Sequence, residues 1–274
     1  MRNITTDKRS IIFDDHRAGR ISRAACILLG FLFIPVLGDT AARTTPDQFV
    51  SSIDLVKRSV IPILCAQFDA QGKFSYRFID GTGFFIDEDA HFVTAAHVIA
   101  DLKQKTCIMA IYIPRDGWRR NVMVIDVNWL LFKDCKVDDS LDLAVCKPVG
   151  QVPTRIYPLT FDILQPLDGM PVAFTGFPLG FVQPLSSRGN VAAYRKTVDE
   201  NGARELIIDK GTWPGASGSP VYSPEGKVVG IILARGTDEA TGIAVALPAS
   251  FIIKFLHDNG IDIPTKTQQK KRKK

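Results

Sequence analysis

The chain has 274 residues, of which 46% are hydrophobic and 23% charged, a balance typical of a compact globular protein. This composition excludes a disordered or fibrous chain. The 21 glycines and 16 prolines follow no fixed period, which favours many short elements over long helices or a solenoid.

The formal net charge of +5 is concentrated at the two ends of the chain. Residues 1–23 hold six basic and three acidic residues, residues 266–274 hold six basic residues and no acidic ones, and residues 24–265 therefore carry −4. A negative body does not favour specific nucleic-acid binding. We expect residues 260–274 to form a disordered basic tail, with at most weak contact to a membrane or a polyanion.

The first 42 residues have the pattern of a targeting segment. Three arginines precede an apolar run from Ala24 to Gly38, and small-residue cleavage sites follow Gly38 and Ala42. The run has 15 residues, whereas a spanning helix needs about 20. The pattern predicts export to the periplasm or the exterior through a signal peptide. Retention as an uncleaved N-terminal anchor, or burial as another kind of helix, remains open.

Two sets of short strands follow a predicted amphipathic helix at Pro46–Lys57. The strands are runs rich in Val, Ile and Phe that end at Gly, Asp, Asn or Pro turns. The first set is Val60–Phe68, Phe74–Ile79, Gly81–Ile86, His91–Thr94, Thr106–Ile113, Asn121–Leu131 and Leu141–Lys147. The second set is Pro171–Thr175, Arg188–Tyr194, Glu205–Ile208, Pro220–Tyr222, Lys227–Leu233 and Gly242–Ala246, before a helix at Pro248–Asn259. The pattern predicts an all-β fold of two antiparallel β-barrels, over residues 43–150 and 151–259.

Four cysteines remain when Cys26, in the targeting run, is set aside: Cys65, Cys107, Cys135 and Cys146. In an exported chain they permit two disulfides in any of three pairings, and free buried thiols are equally consistent with the sequence. No pair has CxxC spacing and the histidines do not cluster with them, so we expect no metal site.

Three segments carry residues suited to acyl-transfer chemistry. His97 lies in TAAHV, Asp142 in SLDLAV, and Ser217 in GASGSP between two glycines. These supply an imidazole base, a carboxylate that orients it, and a hydroxyl nucleophile. Glycine at 215 allows the tight turn that aims the Gly215 and Ser217 amides at one point, where an oxyanion would be held.

These motifs resemble the three signature positions of the chymotrypsin-like (trypsin-fold) serine peptidases, over roughly residues 48–258. Within that superfamily, DEDAHFVTAAHVI and GIAVALPASFI are similar to the bacterial Deg/HtrA branch, whereas GxSGSPV is similar to the glutamyl endopeptidase branch. The resemblance implies two six-stranded barrels with a Ser-His-Asp triad between them, a polypeptide substrate and no cofactor. We expect no PDZ module after Asn259, and no feature predicts an oligomeric state.

The resemblance also carries one departure that bears on activity. A hydroxyl that commonly supports the catalytic carboxylate is replaced here by Leu233, so we expect backbone amides near His97 to support Asp142 instead. Two functions follow: an active serine endopeptidase, or a catalytically silent trypsin-fold module that binds a partner. The three intact positions favour the enzyme.

The same resemblance maps a pocket for the side chain before the scissile bond. Its residues are Gly211, Thr212, Ile232, Leu233, Ala234, Arg235, Gly242 and Ala244. No acid lines it, and an unpaired buried Lys or Arg would be costly, so we expect a preference for small or medium apolar residues such as Val, Ala or Leu. Thr212 matches a carboxylate-binding threonine of the glutamyl branch, but Ile232 replaces the histidine of that pocket.

Overall fold

The computed structural model describes residues 47–115, 118, 126–196, 204–235 and 242–263. The predicted targeting segment and the basic residues after Ile263 lie outside these ranges. Within the described ranges, no helix is long and apolar enough to cross a membrane.

The strands close into two six-stranded antiparallel barrels, which confirms the predicted fold class. The strand order is β1-β2-β3-β6-β5-β4 in the first barrel and β10-β11-β12-β9-β8-β7 in the second. The helices are α1 (Gln48–Lys57), α2 (Ala96–Gln104) and α3 (Ala249–Asp258). The strands are β1 (Val60–Phe68), β2 (Phe74–Phe85), β3 (Phe92–Ala95), β4 (Ile108–Pro114), β5 (Val127–Asp138), β6 (Leu143–Pro148), β7 (Pro171–Gly176), β8 (Leu185–Lys196), β9 (Arg204–Ile208), β10 (Pro220–Tyr222), β11 (Val228–Arg235) and β12 (Ala244–Pro248).

Helix α1, at the start of the described chain, packs against the second barrel. Asp47 caps it, because its carboxylate accepts a hydrogen bond of 2.9 Å from the Phe49 N–H. Phe49 and Val56 are buried on one face, and the Phe49 ring packs against Tyr222 of β10 with 6.5 Å between centroids. The predicted amphipathic helix is therefore confirmed, although it begins at Gln48 rather than Pro46.

Strand β2 is continuous where the sequence predicted two strands. Its register with β1 shifts at two points, which leaves Asp80 and Arg77 as extra residues. Such bulges let one strand bend around a barrel without ending. Strand β5 likewise continues past its predicted end at Leu131, because a bulge at Asp134 and Cys135 absorbs the change in alternation.

Helix α2 was not predicted from the sequence. It begins directly after β3 with no side-chain cap, and it buries Val98, Ile99 and Leu102 against the first barrel. The apolar run of β3 continues into the helix without a turn residue, so no sequence signal separates the two elements. Its first turn carries His97, and this sets the direction of the imidazole.

Two disulfides are formed, both in the first barrel: Cys65–Cys107 joins β1 to the start of β4, and Cys135–Cys146 joins β5 to β6. This is one of the three pairings that the sequence allowed. The pairs are 42 and 11 residues apart along the chain. A longer closed loop restricts the unfolded chain more, so the first crosslink should stabilise the fold more strongly.

We therefore expect the Cys65→Ala/Cys107→Ala variant to lose about 4 kcal/mol of unfolding free energy, and the Cys135→Ala/Cys146→Ala variant about 3 kcal/mol. Urea denaturation of both double variants beside the wild type measures these losses. Equal losses, or a larger loss for the shorter loop, would contradict an entropic origin of the difference.

Candidate active site

His97 lies in the first turn of α2, at the end of the first barrel nearest the second. The small residues before it, Ala95 and Ala96, are almost fully buried, so the backbone packs closely against the barrel. The His97 side chain nevertheless keeps 42% of its surface exposed. The imidazole therefore faces outward, as the small residues before it predicted.

Asp142 occupies the turn before β6, with a left-handed φ of +52°. Aspartate adopts this backbone region more readily than most residues. Its Oδ2 lies 2.7 Å from Nδ1 of His97, and its Oδ1 accepts a 2.8 Å hydrogen bond from the His97 N–H. Its carbonyl oxygen accepts another from the Ala96 N–H at 3.0 Å. A backbone amide at His97 thus supports the carboxylate, as expected from the apolar residue at 233.

The hydrogen bond that the His97 ring donates to Asp142 raises the pKa of His97 above its ordinary value, and burial of the ring opposes this shift. The negative charges of Asp142, Asp101 and Asp80 raise it further. In the neutral imidazole the carboxylate holds the proton at Nδ1, which leaves Nε2 free to accept a proton. The arrangement therefore favours a base of increased strength.

Ser217 lies in the loop between β9 and β10, in a turn that requires glycine on both sides. Gly215 has a φ of +92°, and a Cβ there would lie 2.4 Å from the Phe177 carbonyl oxygen. Gly218 has a φ of +85°, and its Cβ would lie 2.0 Å from the Thr82 carbonyl oxygen. Both positions combine a backbone region that disfavours other residues with no space for a side chain.

Every second backbone N–H from Gly215 to Gly218 lacks a hydrogen-bond acceptor among the described residues. Ala216 donates its N–H to Trp213 at 3.0 Å, and Gly218 donates to Ile232 at 2.7 Å. Within the described residues, the N–H groups of Gly215 and Ser217 make no hydrogen bond. Two unpaired donors with a single residue between them are what an oxyanion needs.

The Ser217 hydroxyl donates to the Leu233 carbonyl oxygen at 3.3 Å, and within the described ranges it forms no hydrogen bond with His97. Ser217, His97 and Asp142 nevertheless line one cleft of about 410 Å³. The Ser217 side chain has to rotate before its hydroxyl can donate a hydrogen bond to His97. Hydrogen bonds between catalytic residues are often long or absent without substrate.

The predicted pocket residues are only partly brought together. Of these, Thr212, Ile232 and Leu233 line the cleft. Ala244 is fully buried in the core of the second barrel, and Gly242 is exposed in the turn before β12. Gly211 precedes Thr212 without being among the lining residues of the described chain. Ala234 and Arg235 belong to β11, but their side chains lie outside the description.

Sequence reasoning missed two groups of residues at the site. Trp213 and Pro214 line the cleft, and Trp213 is 60% exposed. A large aromatic residue inside the nucleophile motif is the signal that could have indicated this. Thr82, which contacts the nucleophile loop from the first barrel, carries no comparable signal.

Comparison of the sequence with known proteins identifies a family and several relatives. The family model described as "Trypsin-like peptidase domain" matches residues 81–231, a range that includes His97, Asp142 and Ser217. The uncharacterized protein y4bJ of Sinorhizobium fredii is 31% identical over 172 residues, covering 60% of this chain and 23% of that protein. A probable periplasmic serine endoprotease DegP-like of Rhizobium meliloti is 30% identical over 173 residues, covering 62% and 31%. The mitochondrial serine protease HTRA2 of Bos taurus is 24% identical over 224 residues, covering 78% and 44%.

The chain spans less than half of the length of each of these three relatives. The expected similarity to Deg/HtrA proteases is confirmed. Because the family model covers more than half of the chain and the two barrels have the expected topology, the chain belongs to the trypsin-like peptidase family.

Proposed function

We propose that the chain is a serine endopeptidase in which His97, Asp142 and Ser217 form a catalytic triad. The observation that carries the proposal is the pair of hydrogen bonds that the Asp142 carboxylate accepts from His97, at the ring and at the amide, beside Ser217 in one cleft. Gly215 and Ser217 supply the unpaired amides of an oxyanion hole. Among the described residues, no group of His, Cys, Asp and Glu suited to a metal ion is found.

In this mechanism the Ser217 hydroxyl turns from Leu233 towards His97 and attacks the carbonyl carbon of the substrate. Nε2 of His97 takes the hydroxyl proton, and Asp142 stabilises the imidazolium that forms. The Gly215 and Ser217 amides hold the oxyanion of the tetrahedral intermediate. His97 then gives the proton to the leaving amine, and water hydrolyses the acyl-enzyme by the same steps.

The second candidate function is a catalytically silent binding module. The hydrogen bond between the Ser217 hydroxyl and Leu233, rather than His97, is the observation that fits it. A fluorophosphonate probe separates the two functions, because only an activated serine displaces its fluoride.

We propose that the protein is exported and acts on polypeptides. Three observations support this: the apolar run near the N-terminus, two disulfides, and similarity to relatives named as periplasmic proteases. Both a cleaved signal peptide and a retained anchor within residues 1–42 fit them.

We propose a preference for small or medium apolar residues before the scissile bond. Leu233 gives the cleft an apolar wall beside Ser217, and among the residues that the structure describes the lining includes no acid other than Asp142. Asp142 is already engaged with His97, so these lining residues offer no counter-ion to a lysine or arginine.

Replacing the nucleophile or the base should abolish hydrolysis. We expect Ser217→Ala and His97→Ala each to lower kcat by roughly 10⁴ to 10⁶, because triad members act as a unit. Hydrolysis of labelled casein and labelling by a fluorophosphonate measure this. Ser219→Ala is a matched control, since that neighbouring hydroxyl is buried, has no hydrogen-bond partner among the described residues and should be dispensable. Full activity of Ser217→Ala would refute the mechanism.

The acidic limb of the pH profile should report His97. Below its pKa the imidazole is protonated and cannot accept a proton, so we expect kcat/KM to rise with pH around a midpoint above about 6.5. Asp101→Asn removes one of the charges that raise this pKa, so the midpoint should move down while the triad stays intact. A midpoint that is unchanged or moves up in Asp101→Asn contradicts this electrostatic origin.

Cleavage of a denatured proteome should show the proposed specificity. We expect enrichment of Val, Ala and Leu immediately before the cut, with Lys and Arg disfavoured by about 10² or more because their burial is uncompensated. Sequencing of the new termini by mass spectrometry measures this, with a Ser217→Ala digest as background. Enrichment of Lys, Arg or Glu before the cut would show that the cleft selects charged side chains.

A further inference from the structure

Thr82, on β2 of the first barrel, is fully buried and contacts the nucleophile loop of the second barrel through both backbone and side chain. Its N–H donates to the Ser217 carbonyl oxygen at 2.8 Å, and its hydroxyl donates to the Gly215 carbonyl oxygen at 2.8 Å. The hydroxyl also accepts a 3.0 Å bond from the Phe177 N–H. Its own carbonyl oxygen is held by the Thr94 hydroxyl at 2.8 Å.

Two hydrogen bonds fix the peptide planes on the two sides of Gly215, and one of them comes from Thr82. In a trans peptide the carbonyl and the following N–H point in opposite directions within one plane. The Leu179 N–H holds the Pro214 carbonyl oxygen at 2.7 Å, so the Gly215 N–H points the other way. The Thr82 hydroxyl holds the next carbonyl, that of Gly215. Rotation about the two backbone bonds of Gly215 would have to break one of these contacts.

Gly215 needs these external contacts because glycine has little conformational preference of its own. Gly215 has a φ of +92°, and only glycine turns freely between this region and others. An oxyanion hole stabilises charge only if its donors are aimed before the charge develops. The geometry of Gly215 therefore has to come from its neighbours: the Leu179 contact directs the N–H, and Thr82 on the first barrel holds the carbonyl.

We infer that Thr82 is a positioning residue for the oxyanion hole, which anchors Gly215 from the opposite barrel through its carbonyl oxygen, while the Leu179 contact directs the Gly215 N–H. The inference rests on the proposed peptidase function. Among the described residues, Thr82 forms hydrogen bonds to the backbone of the loop and none to the Ser217 hydroxyl. Its effect passes through the Gly215 carbonyl, which limits rotation about the Cα–C bond of Gly215 and fixes where the donor lies.

The test compares isosteric variants of the full chain. Thr82→Val keeps the volume and the branched shape but removes the hydroxyl, so the Gly215 carbonyl and the Phe177 N–H lose their partner. Thr82→Ser keeps the hydroxyl. Thr175→Val is the matched control, because Thr175 is equally buried but its hydroxyl pairs with Ser186 and Tyr222 and, among the described residues, forms no hydrogen bond with the nucleophile loop.

The readout is the second-order rate of Ser217 labelling by an alkyl fluorophosphonate, whose phosphoryl oxygen occupies the oxyanion hole whatever the side-chain preference of the cleft. We expect a fall of about 10- to 100-fold in Thr82→Val, and rates within about three-fold of wild type in Thr82→Ser and Thr175→Val. Casein hydrolysis should show the loss in kcat with KM unchanged. The acidic midpoint of the pH profile should stay in place, because within the described ranges Thr82 forms no hydrogen bond with His97 or Asp142.

Several outcomes would overturn the inference. A labelling rate in Thr82→Val that equals that of Thr175→Val shows that the hydroxyl does not position the loop. A shifted pH midpoint shows that the substitution disturbs the triad instead. If Thr82→Val fails to fold by circular dichroism, Thr82→Ala tests the same loss without the risk of a clash. Labelling or hydrolysis that persists in Ser217→Ala would instead refute the proposed function, which keeps the two failures distinct.

Discussion

The candidate site depends on a fixed contact between two barrels, because His97 and Asp142 belong to the first and Ser217 to the second. Thr82 and Ser217 form a direct backbone bond across this boundary. Aromatic packing reinforces it, since the Phe177 ring lies 5.4 Å from Trp118 and 6.4 Å from Tyr112, centroid to centroid. The cleft is therefore held by hydrogen bonds at the loop and by apolar burial beside it. Neither barrel alone contains the constellation.

Much of the fold could be predicted from the sequence because alternation and turn residues mark most strands directly. The predictions were wrong where a bulge let a strand continue, as at Asp80 in β2 and at Asp134 in β5. Helix α2 was missed for a related reason. The run TAAHVIADL has no turn residue between its strand and its helix, and only packing of Val98, Ile99 and Leu102 reveals where one becomes the other.

The chemical groups of the site were easier to predict than their supports. His97, Asp142 and Ser217 each lie in a local motif, and each motif is readable without knowing its partners. The role proposed for Thr82 depends on residues 95 to 135 positions away, a contact that no local pattern encodes. The pocket shows the same limit. Leu233 lines the cleft, whereas Ala244, at the start of the next strand β12, is buried in the core of the second barrel.

The two barrels contribute different kinds of electrostatics to the site. The carboxylates that raise the pKa of His97, those of Asp142, Asp101 and Asp80, all come from the first barrel. The open amides of Gly215 and Ser217 come from the second, where their aim depends on backbone geometry rather than on charge. A change among the carboxylates therefore alters when the base is neutral, and a change in the loop alters how well the developing charge is held.

Thr82 is the exception to this division, because it belongs to the first barrel yet bonds to the loop of the second. Its hydroxyl carries no charge and acts by holding the Gly215 carbonyl in place. A substitution there should consequently separate the two contributions. Among the described residues, Thr82 forms no hydrogen bond with the groups that set the titration of the base, whereas the position of one oxyanion donor depends on a carbonyl that Thr82 does hold. That separation distinguishes a role in positioning the loop from a general role in holding the two barrels together. A weaker contact between the barrels would change both the titration of His97 and the stabilisation of the oxyanion.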